Sequence, residues 1–262
     1  MNPLARLGDH TLESWRGLRH LAAVLWAVLT VALRRRSWPR TVREELVRQV
    51  FASGVGACGF VTMVAILLGV SVVAQALVWV RKIGEPDLLA PLLVTVLVRE
   101  AVPVLTNLLL IARSGSALTT DLGSRMVAGE VRMLDAQGLD PFLYLVMPRV
   151  IGLCVAVCCL SLQFLLGALA SGYLFAALLS PTSEGVLSFA HSVLISVDAL
   201  DLINFAAKSL LPALFTGIIC CTEGLAVGSA AGQVPAATRR ALGRSVRALF
   251  LSSALVSLLT YL

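Results

Sequence analysis

The sequence has no G-x-x-x-x-G-K-[ST] phosphate loop, which argues against nucleotide binding of that kind within this chain. It has no H-E-x-x-H and no G-x-S-x-G, and its three histidines (His10, His20 and His191) are scattered, so neither a catalytic set nor a metal site assembles. The six cysteines, Cys58, Cys154, Cys158, Cys159, Cys220 and Cys221, contain no C-x-x-C pair and all fall in apolar runs. That pattern fits buried, inert thiols better than a zinc ribbon. Charge is scarce, at 14% of residues, where a soluble domain carries about 25%. Gly/Ser linkers, low-complexity blocks, repeats of 20–50 residues and an obvious inverted repeat are also lacking. The expectation is a chain without enzyme activity or cofactor of its own.

What is present is apolar. Residues of the hydrophobic class make up 58% of the 262, and the mean hydropathy is +0.90, values that belong to a protein embedded in lipid. Five stretches are long enough to span, at about 20 apolar residues each: 50–80, 88–112, 143–179, 202–227 and 246–262. A sixth run, 18–33, is short and has arginines at both ends: Arg16 and Arg19 before it, Arg34, Arg35 and Arg36 after it. It reads as an in-plane interfacial helix, with crossing as the alternative. No secretory signal is expected from the first residues. The predicted fold is an all-α integral membrane protein: one domain over 1–262, with an interfacial region at 1–45 and a five-helix core at 46–262.

The net charge of +6 is distributed by loop rather than spread for nucleic acid. Segment 34–48 holds six arginines, 113–149 holds Arg113, Arg125, Arg132 and Arg149, and 228–247 holds Arg239, Arg240, Arg244 and Arg247. The alternate segments hold Arg81 and Lys82 in one case and no Lys or Arg in the other. The positive-inside rule then predicts five spans with the N-terminus cytoplasmic and the C-terminus outside.

Three ionisable residues lie at membrane depth: Arg99, Glu100 and Lys208. A charge there costs about 2.5–3.5 kcal/mol by insertion scales, so such groups usually face a cavity or a partner charge. Pro103, a turn after Glu100, predicts a bend. Arg99 and Glu100 fit either a transport site or a buried salt bridge; Lys208 fits either snorkelling toward the interface or a cation close to a lipid phosphate or to Glu100. Segment 113–141 reads as helical near 118–137, with Met126, Glu130, Met133, Leu134 and Gln137 on one face, Gly138 as C-cap and Asp140-Pro141 as the stop. Such a helix can dock a soluble partner or lie on the membrane surface.

Several stretches together resemble the MlaE (YrbE-like) permease family: V-R-E-A-V-P-V-L at 98–105, A-R-S-G-S-A-L-T-T-D-L-G at 112–123, and G-L-D-P-F-L-Y-L-V-M-P-R at 138–149. L-V-R-Q at 46–49, D-L-I-N-F-A-A-K-S at 201–209 and A-A-T-R-R-A at 236–241 continue the likeness in order. The resemblance implies a homodimeric permease subunit of an ABC transporter in a bacterial inner membrane, acting on phospholipid with a periplasmic MCE-domain protein and a cytoplasmic ATP-binding subunit. It implies that Ser124, Met126, Val127, Glu130, Met133, Leu134 and Gln137 form the helix that couples to the ATPase. It also places Arg99, Glu100 and Lys208 near the lipid cavity. The chain departs from the family pattern at Val102, where Gly is usual, at Val131, where Gln is usual, and at the inserted Pro235. A proton-coupled secondary transporter using Glu100 and a non-transporting membrane scaffold are the competing classes.

Overall fold

A chain in hydrocarbon has no water to satisfy its peptide groups, so long apolar runs close their hydrogen bonds within helices. The computed structural model describes residues 23–28, 30, 39–83, 89–179, 185–228 and 230–261, and among these no strand occurs. Helix α1, Arg40–Val50, passes through a wide π turn at Phe51–Val55 into α2, Gly56–Ile83. The second membrane helix begins with α3, Leu89–Leu93, and winds through a π segment at Val94–Ala101 into α4, Val102–Leu110. A second π segment at Ile111–Gly115 leads on to α5, Ser116–Val127. The short α6, Glu130–Ala136, precedes a π turn at Phe142–Val146 and α7, Met147–Leu179. Then follow α8, Val186–Ile195; α9, Ala199–Leu225; and α10, Val234–Tyr261. Five continuous helices are long and apolar enough to cross a membrane: Arg40–Trp79, Pro91–Val127, Phe142–Leu178, Ala199–Leu225 and Val234–Thr260. The protein is therefore an all-α integral membrane protein, with five such helices among the described residues.

Three boundaries differ from the sequence expectation. The first helix starts at Arg40 rather than near 50, so Arg40, Arg43 and Arg48 lie on it. The second helix does not stop near 112 but runs unbroken to Val127, because nothing between Ile111 and Val127 breaks it and the π turn absorbs the change in direction. The fifth starts at Val234 rather than near 246, so Arg239, Arg240, Arg244 and Arg247 ride on its first turns instead of in a loop. Of the expected interfacial helix over 18–33, residues 23–28 and 30 are described and helical, and the rest lies outside the described residues. Trp26 is exposed, while Val28 is buried against Leu118, Leu122 and Leu145. This stretch thus lies beside the arginine-rich end of the bundle.

The core is built from small residues as much as large ones. Helices α2 and α7 pack through Ala57, Val61, Ala65 and Val73 against Leu153, Val157, Leu160, Phe164 and Ala168. At Gly69 the backbones come so close that an added methyl would overlap the Ala168 carbonyl, and one at Gly172 would overlap Val73. Membrane helices gain little from apolar burial and rely on such close approach and on polar glue. Here the glue is Gln163, whose Nε2 donates to Thr62 Oγ1 at 2.6 Å, and Ser171, whose hydroxyl donates to the Ile66 carbonyl at 3.2 Å. Large apolar side chains face outward instead, among them Phe60, Leu67, Leu166, Leu178 and Leu251, as a lipid solvent permits.

Gly69→Val should lower the melting temperature of the purified protein in detergent, by about 1–3 kcal/mol of overpacking. Gly59→Ala on the same helix, where no atom lies within 4 Å of the new methyl, should leave it unchanged.

Candidate functional site: an ion-pair lattice between two proline-containing helices

The π segment Val94–Ala101 and α4 face α9 in the bundle interior. Each helix contains a buried proline, Pro103 in α4 and Pro212 in α9. Proline has no N–H to return to the carbonyl four residues back, which here are the carbonyls of Arg99 and Lys208. Each is satisfied from the opposite helix. Lys208 Nζ donates to the Arg99 carbonyl at 2.9 Å. Asn107 Nδ2 donates to the carbonyls of Lys208 and Ser209 at 3.4 and 3.2 Å, and to Pro103 of its own helix at 2.9 Å. In hydrocarbon an orphaned carbonyl costs several kcal/mol, so these side chains do work that water does elsewhere.

The charges are paired in the same layer. Lys208 is 0% exposed and its ammonium lies 2.5 Å from Glu100 Oε1. Snorkelling is excluded by that burial. Arg99 pairs with Asp201, Nε to Oδ1 at 2.6 Å and Nη2 to Oδ2 at 3.2 Å, so Glu100 holds the lysine and not its arginine neighbour. Asp201 is itself fixed, since its carboxylate also accepts from the backbone N–H of Asp198 at the start of α9. Three of the four groups are largely covered, but the Glu100 side chain is 49% exposed. It opens onto a groove of 660 Å³ between α10 and the second helix, lined by Val96, Val104, Phe250, Ala254 and Ser257. Ser257 donates to Glu100 Oε1 at 3.2 Å. Val102, the departure from the family's usual glycine, is fully buried.

Sequence reasoning found Arg99, Glu100 and Lys208, and the structure brings all three together. It missed Asp201, Asn107 and Ser257. Asp198-x-x-Asp201 ahead of an apolar run was a visible helix-start signature; nothing in the sequence alone pointed to Asn107 or Ser257.

The seven expected coupling residues lie at the arginine-rich end, but not on one helix. Gly129, with φ +80°, ends α5 and starts α6 in a new direction. Ser124, Met126 and Val127 therefore belong to α5, Glu130, Met133 and Leu134 to α6, and Gln137 caps α6. The single helical face expected from 126 to 137 is broken by that left-handed residue, which i+4 spacing cannot reveal. Gly138, φ +74°, closes α6 as expected: its N–H reaches the Asp135 carbonyl and Leu139 N–H that of Leu134, both at 3.0 Å. Ser124, Glu130, Met133 and Gln137 are exposed, whereas Val127 packs on Val227, Val234 and Ala237.

Behind this surface runs a chain of ion pairs. Glu130 lies 3.8 Å from Arg125, Arg125 3.2 Å from Asp121, Asp121 2.8 Å from Arg149, and Arg149 3.2 Å from Glu45. Arg149 is 1% exposed and also donates to the Leu145 carbonyl at 3.0 Å. It ties α1, α5 and α7 through one guanidinium. On the far side Glu223 of α9 is held by Arg240 and Arg244 of α10.

Removing one member of a buried pair leaves an uncompensated charge, at about 3–5 kcal/mol. Lys208→Ala should lower thermal stability in detergent by less than that, since the Glu100 it leaves is half-exposed, and Lys208→Met combined with Glu100→Gln should recover only part of the loss, because the Arg99 carbonyl still lacks its donor.

A profile of the family described as Permease MlaE matches residues 46–259. The chain is 26% identical over 258 residues to a probable ABC transporter permease protein of Rickettsia felis, covering 98% of this chain and 97% of that one. It is 25% identical over 244 residues to the chloroplastic protein TRIGALACTOSYLDIACYLGLYCEROL 1 of Arabidopsis thaliana, covering 93% and 67%. It is 26% identical over 150 residues to the intermembrane phospholipid transport system permease protein MlaE of Haemophilus influenzae, covering 57% and 56%. With a match over most of its length and a five-helix membrane fold around paired charges, the chain belongs to the MlaE permease family.

Proposed function

We propose that this permease moves phospholipid between a bacterial inner membrane and a periplasmic MCE-domain protein, as a homodimer driven by a separate cytoplasmic ATP-binding subunit. Its arginine-rich end then faces the cytoplasm. One observation carries the reading: a half-exposed carboxylate, Glu100, is among the described residues the one charged group lining a mostly apolar groove at membrane depth. Facing plain lipid, that group would be costly; facing the polar head of a lipid whose chains lie along Val96, Val104 and Phe250, it has a use. The Haemophilus relative's name, which specifies phospholipid, supports the same substrate class.

The mechanism follows from continuity. Glu100 and the coupling residues Ser124, Met126 and Val127 sit on one uninterrupted helix, Pro91–Val127. Closure of the ATPase against the exposed face of Ser124, Glu130, Met133 and Gln137 moves that helix, and its π segments are the places where it bends. The ion chain through Arg149 carries the same displacement to α1. At the other end Lys208 and Arg99 are drawn from their carboxylates, and a lipid phosphate takes the vacated place. ATP thereby shifts a population between a paired, closed lattice and an open one.

The test is ATP-dependent transfer of an acyl-labelled phospholipid from proteoliposomes holding the intact complex. Glu100→Gln and Arg99→Ala should each reduce transfer about tenfold or more, the loss of one charge-assisted hydrogen bond. Flux driven by a pH gradient without ATP would favour a proton-coupled carrier, absence of transfer by the wild type would favour a scaffold, and normal flux with both charges neutralised would overturn the role given to the pair. Arg149→Leu should leave ATP hydrolysis by the complex largely intact while transfer falls by a similar factor.

A further inference from the structure

Asn204 lies three residues after Asp201 and four before Lys208, so it shares their face of α9, between the two ion pairs. It is 2% exposed, yet neither Nδ2 nor Oδ1 has a hydrogen-bond partner. Its neighbours' bonds are directed elsewhere. Asp201 holds Arg99 and the Asp198 N–H, and Lys208 holds Glu100 and the Arg99 carbonyl. Asn107, the other buried amide of this layer, donates to three carbonyls, so the region does not lack acceptors; Asn204 is simply not given one. Among the described residues, the buried side-chain oxygens and nitrogens without a partner, outside the ion pairs, belong to Thr106, Asn204, Ser209 and Thr216. All four lie on α4 and α9, the two helices of the lattice. Unsatisfied polar atoms confined to one helix pair are the mark of a surface built for a second arrangement, since an apolar residue would serve the closed one better.

We propose that Asn204 is a recognition residue for the polar part of the transported lipid, covered in the closed lattice and uncovered when the ion pairs part. Its Nδ2 then donates to a phosphoryl or ester oxygen, and its Oδ1 accepts from a donor on the head group. The assignment rests on the lipid-transport reading above and extends it to a residue that carries no charge. The groove already reaches Glu100, which holds Lys208 one helical turn from Asn204. A phosphate entering there competes with Glu100 for Lys208, on the same face of α9 as the amide.

The experiment compares Asn204→Leu, similar in volume and apolar, with the wild type and Glu100→Gln, each as the intact complex. Two quantities are read: the melting temperature without ATP or added lipid, and ATP-driven transfer of an acyl-labelled phosphatidylethanolamine. The expected result is a melting temperature equal to or above the wild type, with transfer reduced roughly tenfold and a raised half-saturating lipid concentration. A lowered melting temperature would mean the amide already has a partner in the closed state, such as a bound water, and would overturn the proposal. So would wild-type transfer by Asn204→Leu while Glu100→Gln is impaired, which leaves the transport reading standing. If the wild type transfers no lipid, the transport reading itself falls and this assignment falls with it; if Glu100→Gln transfers normally, the role given to the ion-pair lattice falls, and this assignment with it, while transport stands.

Discussion

Two prolines placed opposite each other set the central constraint of this fold. Each removes a peptide N–H from a helix buried in hydrocarbon, and each missing bond is replaced by a side chain from the other helix: Lys208 for the Arg99 carbonyl, Asn107 for the Lys208 carbonyl. The exchange makes the second and fourth membrane helices mutually dependent. Once an ammonium is committed to a backbone carbonyl inside the bundle it needs a counter-charge, and Glu100 supplies it. The neighbouring Arg99 then needs one too, and Asp201 at the start of α9 supplies that. The ion pairs thus follow from the two prolines as much as from any ligand. A lattice of this kind has two satisfied states only if another anion can replace the carboxylates.

The arginine-rich end is organised differently. There the charged groups are linked in series, from Glu130 through Arg125, Asp121 and Arg149 to Glu45, and they join helices rather than repair them. Arg149 is the member without access to solvent, so it is the link whose loss cannot be made good by water. Glu223 with Arg240 and Arg244 performs the equivalent task between α9 and α10. One end of the bundle is therefore a braced platform, and the middle is a layer in which charge and backbone share the same bonds.

Much of this was legible in the residues. The number of spans follows from apolar length, and Gly138 with Asp140-Pro141 announced the end of α6. Arg99, Glu100 and Lys208 stood out because charge is rare in such runs. Their pairing was not legible: adjacent residues on a helix point about 100° apart, so Arg99 and Glu100 were bound to find different partners, but which ones depended on the register of α9 against α4. Asn107 and Ser257 carry no pattern and gain meaning only from what faces them. The break at Gly129 was missed because i+4 spacing continues across a left-handed residue, and the continuity of the second helix with the segment up to Val127 was missed because Arg113, Ser114 and Ser116 end the apolar run without ending the helix.

The contact at Gly69 and Gly172 has a bearing on how the bundle moves. The Gly69 backbone rests on the Ala168 carbonyl and Gly172 on the Val73 side chain, contacts too close for α2 and α7 to ratchet past each other, so the two behave as a single slab. Widening of the groove beside Glu100 is then left to the helices that border it, with the slab as the fixed wall against which they swing.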